Sequence, residues 1–121
     1  MNEATTKFIS TLMGSRTQAH IFHLQSPSYA QHKALQGYYE GIVDLIDSYV
    51  ETCQGRHGII RGYQPTTQLF EDDSTVKYFM GLQKFVDSIY EQLPEDTDLR
   101  NIADEIKALI SQTTYKLRFL S

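Results

Sequence analysis

Cysteine, proline, basic charge and long apolar runs are all in short supply in this sequence, and each shortage closes off a class of protein. A single cysteine, Cys53, cannot form an intrachain disulfide and fits a reducing, cytoplasmic compartment. Three prolines and no sustained Val/Ile/Thr alternation leave little room for strands. Lys and Arg number 11 against 15 Asp and Glu, a net charge of -4, which makes nucleic acid an unlikely main partner because phosphate binding rests on cations. No run approaches the length of a membrane span, and "MNEATTKFIS", with one lysine, reads as neither signal peptide nor basic arm.

What is present is helical periodicity throughout 121 residues, a length suited to one domain. A first helix over about 4–24 places Phe8, Leu12, Ala19 and Phe22 on one stripe. Ser26 then offers an N-cap and Pro27 a first helical position, the start signal for a second helix over about 27–53. That helix turns Leu35, Tyr38, Ile42, Leu45, Ile46 and Tyr49 inward, and Gly55 and Gly58 end it. Residues 54–72 keep no period and are too long for a tight turn, so they are expected to cross the bundle. Asp73 or Ser74 caps a third helix over about 74–93, with Val76, Phe79, Met80, Val86, Ile89 and Leu93 inward. Pro94 closes it. Asp96 or Thr97 caps a fourth, about 97–119, along Leu99, Ile102, Ile106, Leu109, Thr113 and Leu117. Two tight hairpins joined by one long crossover between the second and third helices form an all-α, ferritin-like four-helix bundle, here a single domain over 1–121.

Three of the four histidines lie in "AHIFHLQSPSYAQH". His20 and His32 each stand six positions from Ser26, so a hairpin turning there sets them at one height as neighbours. His23, nearer the corner, reads as a surface or turn contact. From His32 onward, Gln36, Glu40, Val43, Asp47 and Glu51 recur at helical spacing on one face away from the core stripe. Gly37 and Gly41 near that face are poor mid-helix residues but allow close approach of another helix, such as a symmetry mate. His32 and Asp47 are fifteen residues apart, or about 22 Å along a helix, too far to share a metal within one chain. Two copies crossing antiparallel near Gly41 would instead set His32 of one beside Asp47 and Glu51 of the other, twice over in a two-fold dimer. Imidazole with carboxylate suits iron, zinc or manganese.

This stretch resembles the Dps family, the mini-ferritins, whose pattern is a histidine, a second twelve positions on, and a later Asp/Glu pair one turn apart. His20, His32, Asp47 and Glu51 stand at those spacings, and the small-residue turn before "YAQH" is similar to the family's. Gln36 departs from it, where the family carries Asp. Glu40, one turn further, is the substitute. The resemblance implies a mono- or di-iron ferroxidase site shared between subunits, oxidation of ferrous iron by peroxide or oxygen, and iron storage in a hollow dodecamer. It also implies a bacteriophage source for so short a member, hence a host cytoplasm. The alternatives are a catalytically silent structural or interaction protein that kept the bundle and, least favoured for want of a basic tail, a DNA-protecting protein. Elsewhere the tyrosines read as core or interface aromatics, "EDDS" as a helix cap, "GRHG" as a turn, and Cys53 as a plain buried thiol.

Overall fold

The computed structural model describes residues 2–65, 69–71 and 74–120, and among them four α-helices and no strand. α1 spans Glu3–Gln25, capped by Asn2, whose side chain accepts the Thr5 N–H at 2.9 Å. α2 spans Tyr29–His57 and α3 Thr75–Ile89, followed by a 3₁₀ turn, Tyr90–Gln92. α4 spans Thr97–Phe119. Leu93 is extended, as the residue before a proline tends to be, and so the third helix stops short of it.

The second helix starts two residues later than its proline suggests. Ser26 is extended rather than capping, and Pro27 sits in the connector. Ser28 is the N-cap and accepts the Gln31 N–H at 3.2 Å. Ser26 instead donates to the Gln31 side-chain oxygen at 2.7 Å, bracing the corner from outside. At the other end α2 passes through Gly55 and stops at Gly58, whose φ of 95° favours glycine. Ser74 is the N-cap residue of α3; the alternative, Asp73, lies outside the described residues, as do Gln68 and its two predecessors in the connection.

Contacts fix the directions. Phe8 meets Tyr49, and Ser15 meets Tyr38, so α1 and α2 run antiparallel. Phe22 meets Tyr78 while Asn2 reaches the Gln92 carbonyl, so α3 opposes α1 and points the same way as α2. α4 opposes both α2, through Gly41 against Leu109, and α3, through Ser111 against Gln83. The long connection follows α1. Gln64 N–H donates to Ser10 Oγ, and further along Gln25 donates to Glu71. Between them buried Gln18 both accepts the Phe70 N–H at 2.8 Å and donates to the Phe70 carbonyl at 2.9 Å, so one interior amide holds the strap with its polar atoms satisfied.

The buried stripes match the periodic residues on α1 and, except for half-buried Leu45, on α2. Leu82, Ala103 and Ile110 join the core on α3 and α4, whereas Met80 is 38% exposed. The α3 core runs through Thr75, Phe79, Leu82, Val86 and Ile89, and Met80 falls one position off it. A Cβ on Gly41 would meet Leu109 of α4 at 3.4 Å, an ordinary contact, so this side of α2 already borders a helix of its own bundle. Gly37 is exposed with open space around it.

Two buried tyrosines differ in one respect. Ser15 Oγ gives its hydrogen to the Leu12 carbonyl at 2.7 Å, so Tyr38 Oη donates to Ser15 Oγ, also at 2.7 Å. Tyr49 Oη is buried with no hydrogen-bond partner among the described residues. Burial pushes both phenols well above the ordinary 10.0. Tyr49→Phe is therefore expected to leave stability unchanged or raise it by up to about 1 kcal/mol, while Tyr38→Phe lowers it by about 1 kcal/mol. Urea unfolding of both variants checks this; the reverse order would show that the Tyr49 hydroxyl has a partner in solution.

Candidate functional site

The histidine-rich corner is built on a reciprocal contact. The His23 and His32 rings stack with centroids 3.6 Å apart and planes at 20°. His23 Nδ1–H donates to the His32 carbonyl at 2.8 Å, and His32 Nδ1–H donates to the His23 carbonyl at 2.9 Å. His23 lies in the last turn of α1, where carbonyls lack intrahelical donors, so the His32 side chain caps its partner helix. With Nδ1 donating to a carbonyl, Nε2 is the ring nitrogen left for any other partner.

His20, expected beside His32, instead stacks on Tyr39 at 4.4 Å and lies 5.9 Å from His23. The displaced corner explains the difference. With α1 ending at Gln25 and α2 starting at Tyr29, the turn centres near Pro27. Moving a corner by about one position moves the residue opposite by about two, which sets residue 32 against residues 22 and 23 instead of 20. His23 takes the place expected of His20 and is buried, not a surface contact.

The carboxylates do not join this cluster. Asp47 and Glu51 are exposed on the outer face of α2, and Glu40, also exposed, accepts from the Gln36 amide at 2.9 Å. Among the described residues no three His, Cys, Asp or Glu side chains gather as a metal would need. Within one chain, then, His20 and His32 share an aromatic ladder through His23 and Tyr39, while the acids stand further along the helix.

A second cluster was hidden in the turn-like "GRHG". Arg56 and His57 are the last turn of α2 and meet the start of α4. Arg56 Nε donates to both oxygens of Asp98, at 2.9 and 3.0 Å, and His57 Nε2–H donates to Asp96 at 2.9 Å. The Asp96 side chain therefore makes no cap bond to its own helix. The hydrogen bond from His57, aided by the Arg56 charge, holds its carboxyl below the ordinary 3.8. Cations at a helix C-terminus and acids at an N-terminus are the dipole-matched signal that marks such a latch in sequence. Exposed as it is, the latch orients the helix ends more than it stabilises them.

Residues 23–117 match a family described as a family of unknown function (DUF5856). Over 115 residues the chain is 29% identical to an uncharacterized 14.6 kDa protein in the mobD-ri intergenic region of Enterobacteria phage T4, covering 92% of this chain and 85% of that one. No solved structure matches.

The reciprocal histidine contact predicts a coupled loss. His23→Ala and His32→Ala should each cost about 1–2 kcal/mol in denaturant unfolding, and the double variant less than their sum. Simple additivity, or losses within experimental error, would show that the pair does not close the corner. For Asp96, a lowered folded-state pKa gives stability that is present above 3.8 and lost as pH falls through the lowered value. The stability difference between wild type and Asp96→Asn should thus be full at neutral pH and vanish in acid, as thermal unfolding across pH will read.

Proposed function

Since the chain belongs to DUF5856, a family whose description assigns no chemistry, we propose from the geometry that it is a catalytically silent helical-bundle protein that works by association, like the interaction-protein alternative above. The observation that carries this reading is the His23–His32 closure. His23 and His32 set the register of the first hairpin, while His20, expected beside His32, is packed on Tyr39 and the carboxylates stand apart from all three. The polar side chains of α1 buried against the connection, Ser10 and Gln18, likewise hold chain to chain. The phage relative, itself uncharacterized, fits a phage protein but adds no activity. The course of the connection along α1, with α2 and α3 pointing the same way, supports a ferritin-like arrangement for the bundle.

A metal-handling reading is kept because of one detail. An imidazole whose Nδ1–H is fixed on a carbonyl presents Nε2 as a lone pair, the way metal-binding histidines are held in place. His32 is so held and only half-buried, with His20 nearby in the same ladder. Asp47 and Glu51 of a second copy would have to complete the donor set, with iron as the substrate in a two-fold dimer or dodecamer and zinc or manganese as other fits. Gln36 and Glu40, bonded to each other on the exposed surface, would add little.

Aerobic addition of ferrous salt separates the two. The association reading expects a ferric absorbance rise no faster than in buffer, and calorimetric titration with ferrous, manganous or zinc salt that is unaffected by His32→Ala or Asp47→Ala. Fast oxidation abolished by both substitutions would sink it in favour of the shared metal site.

A further inference from the structure

Net charge hides a segregation that the fold makes spatial. On α2 the residues from Glu40 to Glu51 carry Glu40, Asp44, Asp47 and Glu51 and no cation. On α3 the residues from Thr75 to Val86 carry Lys77 and Lys84, and on α4 those from Ile106 to Leu120 carry Lys107, Lys116 and Arg118, with no acid in either stretch. The antiparallel register of α3 and α4, fixed by Gln83 on Ser111 and Lys107 on Asp87, sets these two basic stretches side by side. Among them stand Tyr115 and Phe119, 54% and 63% exposed, with rings 5.9 Å apart and the Arg118 guanidinium 4.9 Å over Phe119. Met80, off the core stripe, adds to this surface. The exposed Tyr115, Phe119 and Met80 beside Arg118 match the residue types enriched at the centre of an interface, with the lysines around them as a charged rim.

We infer that this α3–α4 face docks on the acidic outer face of α2 in a second copy of the chain. The inference rests on the association reading and names its partner. Outside the Lys107 pair the exposed cations are Lys77, Lys84, Lys116 and Arg118, the last two on opposite flanks of buried Leu117, and the partner face offers Glu40, Asp44, Asp47 and Glu51, so the two surfaces are complementary in sign. Exposed Gly37, with open space where a Cβ would stand, leaves a flat seat beside the acids for an aromatic ring. A polyanion such as single-stranded nucleic acid also suits aromatics interleaved with cations. The chain's net charge of -4 opposes that occupant, whereas a second copy supplies the acids itself. Because the two faces differ, the contact is heterologous: every copy offers one of each, and assembly continues into a ring or a filament.

Sedimentation velocity of the full chain tests this. At about 50 mM salt the protein should exceed a dimer, and at about 500 mM its association should weaken at least about tenfold, because screening removes exposed charge pairing. Lys116→Gln/Arg118→Gln and Asp44→Asn/Asp47→Asn should each sediment as monomers with wild-type circular dichroism. Mixed together they should form one-to-one dimers and nothing larger, since only one intact contact then exists. A wild type that stays monomeric, or an assembly indifferent to both variants, overturns the inference while leaving association with other proteins standing. Binding of a fluorescent single-stranded oligonucleotide by monomers, lost in the Lys116/Arg118 variant, overturns it in favour of nucleic acid. Rapid iron oxidation, by contrast, would remove the reading beneath it.

Discussion

The register of the α1–α2 hairpin governs what every other surface of this protein can present. It is set by two adjacent devices: Ser28 capping α2, and the mutual donation of His23 and His32 across the corner. Each imidazole satisfies a carbonyl on the opposite helix, so sliding α1 by one residue would break both bonds and unstack the rings. The same register seats Phe8 on Tyr49 and Ser15 on Tyr38 further down. A polar contact at the tip and apolar contacts along the shaft thus specify one alignment, and the hydrophobic stripe alone would tolerate neighbouring ones.

The number of helices and most of their inward faces were legible in the sequence because a period of 3.6 is repeated over fifteen residues or more in each helix. Residues such as Leu12, Ile42, Val86 and Leu99 could hardly point elsewhere. The candidate site was not legible at the same level. Ser26-Pro27 carries every mark of a helix start, yet Ser28 competes for that role two positions on, and Pro27 is as content in an extended connector as at a first helical position. A shift too small to alter the fold exchanged His20 for His23. Gly41 shows a similar limit, since a small residue marks a close approach without saying which helix approaches.

Charge was misleading for a different reason. A net value of -4 discourages thoughts of a basic surface, but a sum has no geometry. The chain order of the charges already held the separation: acids at 40–51 and 87–98, cations at 77–84 and 107–118. Only the antiparallel pairing of α3 with α4 turns the two cationic segments into one face, and only the outward placement of Tyr115 and Phe119 gives that face an apolar centre.

α2 is where the competing readings meet, because one helix serves three environments around its circumference. Its inner stripe from Leu35 to Cys53 is core, its edge toward α1 carries His32 and Tyr39, and its outer stripe carries Asp44, Asp47 and Glu51. A carboxylate such as Asp47 can complete a shared metal site only if a second copy brings an imidazole to it, and can anchor a cationic face only if that copy brings lysine or arginine instead. These are different packings of the same two molecules, one symmetric through paired α2 helices and one head-to-tail through unlike faces. Symmetric pairing that crosses near Gly41 would bring the two Glu40 side chains together and set Asp47 and Glu51 of each copy near His32 of the other, an arrangement that a bound cation completes. Unlike pairing neutralises the same acids without any ion. Both packings cover the same acidic stripe of α2, so the metal-free assembly and the metal-bound one exclude each other at this face.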